Sequence, residues 1–256
     1  MLMKLFKYLF LFLFFTCSLS AQKNMAFDSL QLREVQDLFA DDYGNIYLYK
    51  NKDFSFTKYD SLGNQKGKLM LTLPFKIQSV QNPLNIPSFS ENAQELKFFD
   101  QNLNEIQKVN FRQKFGFIKM VYAEDLQQLW LLDESTKRLI QYNFREDRVI
   151  NSYPFNIDFE NIVDFLVFES EVYVLSKNNF AAYYFSAEKI FEIPGADGRK
   201  IRRENQNILI VGRNKIQKLD DLTLKTVFSA EMAKIVDKNS VAYFVIRANK
   251  LYLYRP

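Results

Sequence analysis

Arg199, Lys200, Arg202 and Arg203 fall together in GRKIRRENQN, directly after the turn PGADG, and form the densest positive cluster in the chain. Such a cluster suits phosphate headgroups, lipopolysaccharide or an acidic partner protein. On a strand, Lys200 and Arg202 point one way while Arg199, Ile201 and Arg203 point the other, which predicts an exposed basic patch. The plain alternative is a solvated strand end paired with Glu204 and Asp197. Carboxylates offer a second chemistry. Asp41 and Asp42 adjoin in ADDYGN and could help to hold calcium, but Tyr43, Gly44 and Asn45 supply no alternating set of oxygen ligands, so turn formation is the better account. Asp37, Asp41, Glu124, Asp164 and Glu204 would form the acid–base set of a carbohydrate- or lactone-processing enzyme only if the fold brought them to one mouth.

Other catalytic signatures are missing. The chain has no histidine, which removes the commonest general base, zinc ligand and partner of a nucleophilic Ser or Cys. It has no Gly-x-Ser-x-Gly elbow, phosphate-binding Gly-rich loop, sialidase-type Asp-box or metal-ligand spacing. No catalytic residue, cofactor or metal is therefore expected. Trp130 and the tyrosines Tyr47, Tyr49, Tyr142, Tyr173, Tyr183, Tyr184, Tyr252 and Tyr254 could stack on sugars, yet most lie in strand-like runs, where aromatics serve packing.

The elements that must position these residues begin after a leader. In MLMKLFKYLFLFLFFTCSLSAQK, Lys4 and Lys7 precede an apolar run that is too short to span a bilayer and ends in small residues, which reads as a signal peptide over residues 1–21, cleaved after Ser20 or Ala21. Cys17 lies inside it, and bulky Phe14, Phe15 and Thr16 argue against a lipid anchor there. The mature chain, residues 22–256, then has no cysteine, no membrane span of its own and a formal charge of +2, because the leader removes two lysines from a total of +4. So nearly neutral a protein gives no support for nucleic-acid binding.

Short apolar runs recur at Ile46 (IYLY), Leu96 (LKFF), Leu129 (LWLL), Val172 (VYVL), Ile208 (ILIV) and Val241 (VAYFVI), separated by turns rich in Asn, Asp, Ser and Gly. Each run is of strand length and is apolar at successive positions, so both faces of the strand must be covered. A two-sheet sandwich covers one face; blades stacked around a ring cover two. FADDYGNIYLYKN at residues 39–51 resembles the blade signature of NHL-type six-bladed propellers, and YAEDLQQLWLLDESTKRLIQYN at 122–143 is similar in layout. The resemblance implies an all-β fold, a β-propeller of about six four-stranded blades: 35–73, 75–112, 115–154, 159–193, 199–228 and 232 to the end. The last blade lacks an outer strand, which Ala26 to Glu34 is expected to supply, closing the ring. Pro83 and Pro87 make the second blade irregular. In this frame the basic cluster lies near a ring face or the central channel.

A rigid ring with variable loops and no catalytic motif suits a protein–protein scaffold. The phenylalanine-rich export signal ending SLSAQ resembles those of gliding and gut bacteria with two membranes. It places the mature protein in the periplasm, associated with the outer membrane, as a non-catalytic accessory subunit of an envelope or outer-membrane protein complex such as the type IX secretion translocon or the barrel assembly machinery. The alternative is the carboxylate-using propeller enzyme. An integral outer-membrane barrel is disfavoured because LWLL and VAYFVI leave no alternate polar residues to face a lumen.

Overall fold

The computed structural model describes residues 22–24 and 32–255. The expected leader and Cys17 lie outside them. Strand β1 (Gln22–Asn24) precedes a first blade of β2 to β5 (Asp37–Ala40, Ile46–Lys50, Ser55–Tyr59, Gln65–Met70). The second blade is β6 to β9 (Lys76–Ile77, Ile86–Ser90, Glu95–Phe99, Glu105–Asn110), and the third is β10 to β13 (Ile118–Ala123, Gln128–Asp133, Arg138–Asn143, Arg148–Pro154). The fourth is β14 to β17 (Ile162–Phe168, Glu171–Ser176, Asn179–Tyr184, Lys189–Pro194), and the fifth is β18 to β21 (Lys200–Glu204, Asn207–Val211, Lys215–Asp220, Thr223–Ser229). The sixth is β22 to β24 (Ile235–Lys238, Tyr243–Arg247, Lys250–Tyr254), completed by β1. Six antiparallel four-stranded sheets make the expected six-bladed β-propeller. Among the described residues no helix is long and apolar enough to cross a membrane.

Two expectations need correction. The ring is closed by its N-terminal segment, but through Gln22–Asn24 pairing with Tyr254, Leu253 and Tyr252, not through Ala26 to Glu34. Residues 26–31 lie outside the described residues, and Leu32 to Glu34 form a turn whose Leu32 is buried. LKFF is the third strand of its blade, not the second; the second strand is β7, which carries Pro87 and hides its apolar pattern. Counted from the true second strands, the blades begin 36 to 43 residues apart, and the irregularity disappears.

The core sits in the seams between blades. Leu129 and Leu131 of β11 pack toward the second blade, while Trp130 and Leu132 pack toward the fourth. In the first blade Ile46 and Leu48 face the sixth, whereas Tyr47 and Tyr49 face the second. Strand alternation thus sends successive apolar residues into two different seams, which is why the sequence shows continuous runs. The aromatics follow suit. Trp130, Tyr47, Tyr49, Tyr142 and Tyr173 are buried, Tyr183, Tyr252 and Tyr254 are partly buried, and Tyr184 is exposed.

Hairpins between strands share one device. Asp41, Asp60 and Asp100 each accept two backbone N–H bonds through Oδ1, from the residues two and four further on, and take the side-chain amide of the Asn four residues on through Oδ2. The residue before that Asn has positive φ: Gly44 at 83°, Gly63 at 84° and Leu103 at 67°. Glycine adopts this backbone without strain, whereas a side chain there carries a cost. A Cβ at Gly44 would meet nothing within 4 Å, so Gly44→Ala isolates the backbone effect. It should cost about 1–2 kcal/mol and lower Tm by about 2–8 °C; an unchanged melt would show that the turn is free of this constraint.

Candidate functional site

The six innermost strands surround the central bore, and the bore is plugged. Pro87 has no N–H to donate, so the ladder between β6 and β7 stops after Ile77, with the Gln78 amide reaching the Pro87 carbonyl at 3.0 Å. The chain from Gln78 to Gln81 then enters the bore. The Gln78 side-chain amide donates to the Val121 carbonyl and its oxygen accepts from the Ala123 amide at 3.2 Å, both on β10. Gln81 Nε2 crosses to the Arg203 carbonyl on β18 at 3.0 Å, and Val80 is buried between. A cavity of about 80 Å³ lies beside the plug.

At the end where the innermost strands begin lies a cup of about 700 Å³, with residues from all six blades in its wall. Two ion pairs cross this end of the bore. Lys76 of the second blade donates to Asp164 Oδ1 and to the Val163 carbonyl of the fourth, each at 2.5 Å. Arg199, just before β18, meets Asp37 of the first blade and donates to the Val236 carbonyl at 2.7 Å. Lys119 pairs with Glu91 at 2.9 Å, and this hydrogen bond raises the lysine's pKa above its ordinary value.

The structure divides the predicted basic patch. Lys200 is buried, paired with Asp237 at 3.1 Å, bonded to the Leu38 carbonyl at 3.1 Å and seated 3.9 Å from the Phe39 ring centroid. Arg202 is buried against Glu204 at 2.8 Å, and Glu204 also holds Lys238. Arg203 is exposed, with its guanidinium 4.1 Å from the Phe168 ring. Only Arg199 reaches the cup, and it turns toward the sixth and first blades instead of lying beside Ile201. The four residues therefore form no single exposed surface, because the innermost strand of a blade has neighbouring blades on both sides.

Each of the five carboxylates of the enzymatic alternative is held by its own partner. Asp37 goes to Arg199, Asp164 to Lys76, Glu204 to Arg202 and Lys238, and Glu124 to the indole N–H of Trp130 at 2.8 Å. Asp41 is filled by its own turn and by the Tyr47 hydroxyl at 3.0 Å, while Asp42 accepts from the Ser240 amide at 2.8 Å. Among the described residues no group of three or more His, Cys, Asp or Glu is placed to hold a metal.

No protein-family model matches the sequence, and no curated protein matches it. The fold does have solved counterparts. Virginiamycin B lyase from Staphylococcus aureus aligns over 92% of this chain and 98% of its own, with TM-score 0.56 and 9% identity. The same lyase was solved with quinupristin as a catalytically inactive histidine-to-alanine variant, at TM-score 0.51 and 11% identity over 87% and 80% of the two chains. BamB from Moraxella catarrhalis aligns more loosely, at TM-score 0.45 and 10% identity over 86% and 84%. At these identities the likeness is one of fold: the chain is a six-bladed propeller.

Sequence reasoning missed the plug and most of the cup. Gln78 and Gln81 belong to no motif, and Lys177, Arg213 and Lys234 of the cup's rim stand far apart in the chain. The signal was positional: Lys177 and Arg213 each follow the second strand of a blade, where turns converge on one face.

Proposed function

We propose that this chain is an exported, non-catalytic propeller that serves as an interaction module of an envelope or outer-membrane protein complex. The observation that carries this reading is the distribution of exposed apolar side chains at the end of the ring opposite the cup. There the turns joining first and second strands present Tyr43, Leu84, Leu126 and Val241, which are 49% to 77% exposed. They come from the first, second, third and sixth blades, which are consecutive around the ring. Exposed apolar side chains on neighbouring turns of one face, forming an apolar crescent, support its use as a contact surface. The leader at residues 1–21 supports export, and a mature ring without thiols suits an oxidising compartment.

The enzymatic alternative has less behind it. The lyase with the similar fold is inactive when a histidine is replaced by alanine, and this chain has no histidine to fill such a role. Each of the candidate carboxylates has its own hydrogen-bonded or charged partner. A direct test compares proteins recovered by crosslinking from intact envelopes with wild type and with Tyr43→Ser, Leu84→Ser, Leu126→Ser, Val241→Ser combined. The wild type should retain an envelope partner that the variant loses while its melting temperature stays unchanged. Equal recovery by both would reject the crescent as the contact surface.

A further inference from the structure

The cup carries positive charge that the ring does not neutralise. Six basic side chains line it against three acidic ones, Asp37, Glu91 and Asp197, with Asp164 a fourth acid paired to Lys76, which leaves an excess of two positive charges. Lys76, Lys119 and Arg199 are already engaged by Asp164, Glu91 and Asp37. Lys177, Arg213 and Lys234 are exposed, and among the described residues none of the three has a side-chain hydrogen bond or ion pair. They stand on the fourth, fifth and sixth blades, so they trace an arc over half the rim. Across the cup from that arc, on the first and second blades, Phe39, Phe75 and Phe89 lie in the wall but are buried in the seams between blades.

From this arrangement we infer that the cup binds an acidic polypeptide segment, with its carboxylates set along the arc. A single phosphate calls for cations and backbone N–H donors focused on one point. Here the cations are spread over three blades, which matches charges spaced along an extended chain. The cavity's volume falls in the range of formed ligand sites. The site uses none of the residues of the apolar crescent, so either proposal can fail alone.

The test uses the mature protein and a fluorescein-labelled Glu-Glu-Phe-Glu-Glu peptide, followed by fluorescence anisotropy. The peptide should bind at about 50 mM salt and weaken about tenfold at about 300 mM, as screening predicts. Lys177→Glu, Arg213→Glu and Lys234→Glu combined should weaken it by about 30-fold. The melting temperature should hold, since these side chains touch nothing else. A Lys-Lys-Phe-Lys-Lys peptide should not bind. Absence of acidic-peptide binding, equal binding by the charge-reversed variant, or equal binding of the basic peptide would overturn the inference. Displacement by inorganic pyrophosphate at concentrations below that of the peptide would also overturn it, in favour of a small-anion site.

Discussion

Asp237→Ala is expected to lower the free energy of unfolding by about 3–5 kcal/mol, the range for breaking a buried ion pair from one side. Asp237 is 1% exposed, and its Oδ2 accepts from Lys200 Nζ at 3.1 Å and from the Ala40 amide at 3.1 Å. It thus ties the sixth blade to the fifth and the first. Removing it leaves a buried ammonium facing the Phe39 ring and the Leu38 carbonyl, and strands one amide. Lys200→Met combined with Asp237→Leu should recover most of the loss, since an apolar pair of similar volume has no charge to desolvate.

The mechanism has a pH signature. Burial lowers the pKa of Lys200 from 10.5. Between the folded value and 10.5 the unfolded chain therefore binds more protons than the folded one, so this group's contribution makes stability rise with pH across that window. Its penalty is full below the folded value and absent above 10.5. Losing Asp237 removes an attraction that favours the charged form and pushes the folded value lower still, which widens the window. Urea unfolding between about pH 7 and 9.5 should show the Asp237→Ala protein regaining stability relative to wild type. Parallel pH curves for the two proteins would show that Lys200 is not the group left behind.

The second large effect concerns closure. A chain beginning at residue 25 should melt about 6–12 °C below one beginning at residue 22, given about 1 kcal/mol for each of three lost strand pairings. The shorter chain also exposes the edge of β24, so it should aggregate with rising concentration. Equal melts, without aggregation, would show that Gln22–Asn24 contributes nothing to the ring. In the signal-peptide account the closing strand is the very start of the mature protein, so cleavage a few residues late would remove it.

How much of this was legible depended on how local the signal was. The blade frames could be read because each second strand buries both faces and three of the hairpins, at Asp41, Asp60 and Asp100, carry an Asp with an Asn four residues later, patterns that lie within a dozen residues. The second blade was misread by one strand because Pro87 and two serines in IPSFS conceal a strand that tertiary packing buries. The closing strand was placed several residues too late because AFDSLQLRE has a stronger apolar pattern than QKN, whose pairing depends on backbone alone. The basic cluster was found but its exposure was misjudged: composition shows four cations in five residues, and only the ring reveals that Lys200 and Arg202 face Asp237 and Glu204. The cup was invisible for the opposite reason. Its free cations are separated by at least 21 residues in the chain, and a nearly neutral total hides them.

The central claim is that this ring works by presenting a face to envelope proteins. It is tested most directly by placing the photocrosslinker p-benzoyl-phenylalanine at Leu126 in living cells, with Ile106 on the outer strand β9 as the control position. The account predicts an adduct with an envelope protein from Leu126 and none from Ile106. No adduct from Leu126, or adducts with cytoplasmic proteins alone, would contradict it.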